Sequence, residues 1–173
     1  MPTRDLSGDF TAFADQRLPQ LVRIARALTG SRDAADDLIQ TALEKAYRSW
    51  RKVASQTQDQ KFAYTRRILV NSAYDAWRRK NRHRAHWGQQ VDGEDRPTEE
   101  HGPESLAVAA ANVDALLAPL TPRERQVIVL RCLADLSEAE TARELGIALG
   151  TVKSTAARAL AKLRSSVPTP IGL

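Results

Sequence analysis

Apolar residues recur at intervals of three and four along almost the whole of this chain, and at intervals of two almost nowhere. Such spacing puts a stripe on one side of an α-helix, whereas a half-buried strand needs strict alternation. Phe10, Phe13, Leu18, Leu21, Val22, Ala25 and Leu28 make the first stripe, which Gly30 ends. Ser31 is placed to cap a second helix. Asp33, Asp36 and Asp37 sit in its first turns, where the helix dipole favours negative charge. Leu38, Ile39, Ala42, Ala46 and Trp50 carry that helix inward, and the polar stretch KVASQTQDQ (Lys52 to Gln60) interrupts. A third helix is expected from about Phe62 to about Arg82, with Ile68, Leu69, Ser72 and Trp77 among its inner or half-buried positions. With no convincing alternating strand and no Asn-Gly hairpin, the chain is read as all-α.

The helical period lapses once. QQVDGEDRPTEEHGP (Gln89 to Pro103) carries acids, Gly and Pro without apolar spacing, the composition of a linker. The expected organisation is a helical domain over residues 1–88, a flexible acidic linker over 89–105 and a second helical domain over 106–173. Leu106, Val113, Leu116 and Leu117 resume the period. In Thr121-Pro122-Arg123-Glu124 the Thr can cap, the Pro fits the first helical position and the Glu completes a capping box. Ser137-Glu138-Ala139-Glu140 repeats the box, and the tail after Arg164 is expected to fray.

Composition narrows the function classes. A hydrophobic share of 42% permits a packed core, and aromatics at 5% leave it to Leu, Val, Ile and Ala. The formal charge of +5 leans toward an acidic partner. Cys132 is the only cysteine, which excludes an internal disulfide and a multi-cysteine metal site; it reads as a small buried apolar residue. The start, MPTRDLSGDFTAF, lacks the apolar run of a signal peptide, and no segment approaches the roughly 20 apolar residues of a membrane span. A cytoplasmic protein is expected.

The segment GIALGTVKSTAARALAKLR (Gly146 to Arg164) reads as a tight turn followed by a helix with two different faces. Val152, Ala156, Ala159, Leu160 and Leu163 form an apolar stripe. The other face carries Lys153, Ser154, Ala157, Arg158, Ala161, Arg164 and Ser165, and no acid follows Thr151. A merely solvated helix usually mixes both signs of charge. Ala142, Gly146 and Val152 fall at the offsets of a helix-turn-helix: a small residue for close approach, a glycine for a left-handed turn, and a valine anchoring the second helix. Such a helix offers its N-terminal half to the DNA major groove. An ordinary helical hairpin with a solvated outer face is the plainer alternative.

Three segments, in order, resemble the bacterial sigma-70 family and its extracytoplasmic-function (group IV) members. DAADDLIQTALEKAYRSW (Asp33 to Trp50) resembles the family's polymerase-binding helix, and FAYTRRILVNSAYDAWRRKNRH (Phe62 to His83) its −10 promoter helix. LTPRERQVIVLRCLADLSEAETARELGIALGTVKS (Leu120 to Ser154) resembles its −35 promoter domain. The resemblance implies core RNA polymerase (largest-subunit clamp helices and flap) and promoter DNA as partners, and admits an anti-sigma factor. It implies polymerase docking through Asp36, Asp37, Leu38, Gln40 and Glu44, though these acids also suit a helix N-terminus.

The resemblance further implies that Asn71 reads a base flipped from the melted −10 element, an amide offering both donors and an acceptor. Tyr64, Arg66 and Arg67 would grip the strand by stacking and charge, and Arg78, Arg79 and Lys80 would hold duplex phosphates upstream. The −35 groove would be met by Arg131, Thr151, Lys153, Ser154, Ala157 and Arg158, with Lys162 on phosphate. Thr155 and Ala157 stand where larger side chains are frequent in the family, so readout leans on DNA shape. The linker acids Asp92, Glu94, Asp95, Glu99 and Glu100 read either as a nucleic-acid mimic or as a spacer.

No nucleophile or glycine-rich phosphate loop accompanies the acids, so no catalytic site and no cofactor are expected; His83 and His86 lack partners for a metal. The competing reading is a free-standing helix-turn-helix regulator that acts without polymerase. A helical adaptor without DNA would leave the basic helix face unexplained.

Overall fold

The computed structural model describes residues 5–86 and 113–166, and among these every regular element is helical. Helix α1 (Leu6–Thr29) starts at Asp5, whose carboxylate accepts from the Ser7 and Gly8 amides, and ends at Gly30 in the left-handed region (φ 67°). Ser31 caps α2 (Arg32–Arg48) by accepting from the Ala34 amide. Pro19 lies within α1 on its exposed side. Its neighbour Leu18, expected in the buried stripe, is 39% exposed.

The segment after α2 corrects the sequence reading. Trp50 does not continue the helix but opens a short 3-10 turn, Trp50–Lys52. The turn bends the chain back through Val53 N–H and Ala54 N–H, which both donate to the Trp50 carbonyl at 3.0 and 2.9 Å. Val53 and Ala54, within the stretch read as polar, are therefore buried with Trp50 and Phe13. Trp50 Nε1 donates to Asp9 at 2.8 Å, and the buried Lys61 ammonium donates to both oxygens of the same carboxylate at 2.9 Å. This polar knot ties the start of α1 to the start of α3 (Gln58–His86).

Alanines set the closeness of the first three helices: Ala25, Ala35, Ala42 and Ala46 are all buried, so side chains of adjacent helices interlock at short range. Leu21, Ile24, Ile39, Leu69 and Val70 fill the space between. Ser72 is buried and accepts from the Lys45 ammonium at 3.0 Å, whereas Trp77 stands 38% exposed.

The second half begins with a helical segment over 113–117 (α4). Thr121 and Glu124 form a complete capping box at α5 (Pro122–Ile128), which runs on into a π-helical turn, Val129–Leu133. The turn closes at Asp135, a non-glycine residue at φ 53°. The π turn rotates Cys132 outward, so the expected buried cysteine is exposed. Ser137 and Glu140 form the second capping box at α6 (Glu138–Leu145), Gly146 ends it at φ 65°, and α7 (Leu149–Ser166) follows. The halves are not separate bodies here: α1 packs against α5 and the π turn, α3 packs against α5 and α6, and buried residues of both halves form one cluster.

Candidate nucleic-acid interface

The turn between α6 and α7 is built as the spacing predicts. The Gly146 and Ile147 amides both donate to the Ala142 carbonyl, and the Val152 amide donates to the Ala148 carbonyl at 3.1 Å. Ala142, Leu145 and Val152 are buried at the crossing. Around α7 the inward positions are Val152, Thr155 and Ala159. Thr155 thus replaces Leu160, which is 40% exposed, because inward residues follow a 3-and-4 step from Val152. Thr151, Lys153, Ser154, Ala157 and Arg158 are all exposed on the outer face. Lys153 lies 4.0 Å from Glu138, a solvent-exposed and weak pair.

Two residues expected at this face are held elsewhere. Lys162 donates to the Glu124 carboxylate at 2.8 Å. Burial pushes that carboxyl up, but the Lys162 hydrogen bond and the Thr121 amide outweigh it and leave Glu124 below its usual range. Arg131 is half-buried and its guanidinium donates to the Leu136 carbonyl, which braces the loop ahead of α6.

Helix α3 presents its candidates unevenly. Asn71, Arg67, Arg78, Arg79 and Lys80 are exposed, and Tyr64 leans half-buried on the Phe13–Trp50 cluster. Arg66 is buried: its Nε and Nη2 donate to the two oxygens of Glu144 on α6, at 2.8 and 2.7 Å. Tyr74 stacks with Trp77, ring centroids 5.5 Å apart, and the Arg123 guanidinium sits 4.1 Å from the Tyr74 centroid.

On α2, Asp36, Asp37, Gln40 and Glu44 are exposed, with Gln40 donating to Glu44 at 3.2 Å, while Leu38 is buried in the core. Three of the exposed residues, Asp36, Gln40 and Glu44, border a groove of about 540 Å³ between α1 and α2. Its floor is apolar, from Leu18, Val22, Ile39, Leu43 and Tyr47. An apolar channel edged by carboxylates suits a helix with apolar and basic residues.

The chain matches sigma-70 region 2 over residues 13–83 and sigma-70 region 4 over residues 110–163. It is 36% identical to the RNA polymerase sigma-E factor of Streptomyces avermitilis, over 92% of this chain and 85% of that one. It is 34% identical to the ECF RNA polymerase sigma factor SigM of Mycobacterium tuberculosis, over 83% of this chain and 69% of the relative. The chain belongs to the sigma-70 family, among its extracytoplasmic-function members. Its fold is similar to that of the sigma factor RpoE from Bartonella quintana, solved with the anti-sigma factor NepR (TM-score 0.66, 26% identity, 94% of this chain and 98% of that one). The fold of CnrH, solved with the cytosolic domain of CnrY, is also similar (TM-score 0.59, 23% identity, 90% and 85% covered).

This is an alternative sigma factor, a protein that directs core RNA polymerase to chosen promoters. Among the described residues, no group of His, Cys, Asp and Glu is placed to hold a metal, and no helix is long and apolar enough to cross a membrane. The linker acids and the side chains beyond His83 on α3 lie outside the described residues. Sequence reading missed Glu144, Gln126 and Arg123, the second-half residues that meet α3. Nothing in a linear pattern pairs residues 78 apart, as Arg66 and Glu144 are.

Proposed function

We propose that region 2, within residues 1–88, docks core polymerase through the exposed α2 residues Asp36, Asp37, Gln40 and Glu44 and the apolar groove beside them. Leu38 supports that face from within the core. Asn71, flanked by Tyr64, Arg66 and Arg67, takes a base of the melted −10 strand, and Arg78, Arg79 and Lys80 hold phosphates upstream. Region 4, within residues 106–173, lays α7 in the −35 major groove. Lys153 and Arg158 meet base edges, Thr151, Ser154 and Ala157 line the contact, and Arg131 steadies the approach. Residues 89–105 tether the two. The protein works in the cytoplasm without catalysis of its own, and anti-sigma factors are a further class of partner for the α2 face.

The observation that supports this most is the outer face of α7, exposed, basic and free of acids directly after a left-handed glycine turn. Mixing the purified chain with bacterial core polymerase and fragments of its own upstream DNA tests the reading. A stable complex that gives promoter-specific run-off transcripts is expected. Binding to duplex DNA alone, with no affinity for core, would refute it.

A further inference from the structure

One stripe of α3 meets the second half. Arg66, Val70 and Tyr74 recur at four, and each has a partner across the junction. Arg66 has the Glu144 carboxylate, the Val70 carbonyl accepts from the Gln126 amide at 2.9 Å, and the Tyr74 ring carries the Arg123 guanidinium. Arg67 and Asn71 each follow a member of this stripe by one residue, about 100° around the helix, and are exposed. The path assigned to the −10 strand therefore runs along the edge of the junction. The Arg66 and Glu144 side chains are each only 9% exposed, so this cation is already neutralised.

Geometry separates this state from one engaged on a promoter. Helix α6 packs against both α3 and α7, and packed helix axes lie about 8–10 Å apart, so the two reading helices stand no more than about 20 Å from each other where they meet α6. Elements about 25 base pairs apart lie about 85 Å apart along B-DNA, at about 3.4 Å per pair. One compact body cannot hold both. The 26 residues 87–112 have the contour length to span about 90 Å.

We propose that this is a closed state of the free sigma factor, in which the Arg66–Glu144 ion pair docks region 4 onto the −10 helix. Glu144 takes the place of a DNA phosphate on Arg66, so docking and strand capture exclude one another. The inference rests on the assignment of α3 as the −10 helix. A chain that is mostly closed binds the strand with an affinity reduced by its open fraction.

Cys132 is the sole cysteine and is exposed, so Ser55→Cys gives a full-length chain with one spin label on each half. Electron–electron distance measurement on that chain should give one short population. Glu144→Arg and Arg66→Glu should each convert it to a broad, longer distribution, and the exchange Arg66→Glu with Glu144→Arg should restore it. A broad distribution in the parent, unchanged single variants or a failed restoration overturns the ion pair as the lock. Binding to a randomised 20-nucleotide single strand should tighten about tenfold or more in Glu144→Gln, as expected for an open state that is a minor population. Opening with unchanged strand affinity overturns the competition. Opening with no strand binding at all overturns instead the assignment of α3.

Discussion

On α7 the side chains assigned to the −35 groove stand in water, whereas on α3 those assigned to the −10 strand border a junction whose guanidinium, Arg66, is already paired. The difference follows from what each helix reads. Duplex DNA exists before polymerase arrives, so an outer face of Lys153, Ser154 and Arg158 can remain ready. A melted strand exists only after polymerase has opened the duplex. A single-strand reader left exposed would bind stray nucleic acid through the same charge. Helix α3 shares its length between a core stripe, a junction stripe and an exposed stripe, while α7 has only a core side and an outer side.

The sharpest test is to reverse charge on the ready helix. Lys153→Glu with Arg158→Glu should lower affinity for promoter duplex by roughly 100-fold or more, since each base-directed side chain contributes about 1–3 kcal/mol. Affinity for core polymerase should stay unchanged in the same preparation, because both residues lie on the far side of α7 from its buried face. Loss of both activities would mean that α7 is packed the other way round. The gated helix should respond more weakly. Asn71→Ala should cost about tenfold in single-strand binding. That cost should be plain in the Glu144→Gln background. The same factor should appear in the closed parent, on an affinity about tenfold lower, because a closed state that does not bind scales both affinities by the open fraction. A loss confined to the Glu144→Gln background would mean that the closed parent holds the strand without Asn71, and would erase the contrast between the helices.

These outcomes bear on what the chain discloses before it folds. Helix starts and stops were legible because they are local: Ser31, Thr121 and Ser137 each cap within three residues, and Gly30 and Gly146 each close a turn. The exposed face of α7 was legible for the same reason, since a charge pattern on one helix needs no partner to be seen. Trp50 was read as inward and is buried, but it was placed in the second helix, and Val53 and Ala54 were read as polar, because the turn that folds all three onto Phe13 has no glycine or proline to mark it. Cys132 was misread because a π turn shifts the phase of the helix by one residue. Arg66 was assigned to DNA on its charge, and only the packed structure shows which carboxylate it meets.

A smaller effect tests whether the α6–α7 turn holds the reading helix ready. Gly146 sits at φ 65°, and a Cβ there would meet nothing within 4 Å, so any cost of Gly146→Ala is backbone strain alone. That cost is about 1–2 kcal/mol, which should lower the midpoint of thermal unfolding by several degrees. Duplex affinity below the transition should be unchanged, because the strain does not alter the face α7 presents. A loss of duplex binding at low temperature would show that the turn sets the angle of α7 as well as its stability.

The smallest effect concerns Lys162, which is assigned to phosphate by sequence but meets Glu124 in the fold. Glu124→Gln keeps the capping box, since a glutamine can still accept from the Thr121 amide, and removes only the ion pair. The native Glu124 carboxyl is held below its ordinary range, so its contribution is present above the unfolded-state value, about 4.3. That contribution disappears as pH falls through the folded-state value. Near pH 7 the parent should therefore unfold at a slightly higher temperature than Glu124→Gln, and the two curves should converge as pH drops below about 4. Curves that stay parallel across that window would mean that the Lys162 pair contributes nothing. Releasing Lys162 should also strengthen duplex binding by about twofold at low salt, the scale of one partly screened phosphate contact. If affinity falls instead, Glu124 is positioning α7 through Lys162, and the ready helix depends on a pairing of its own, much as α3 does.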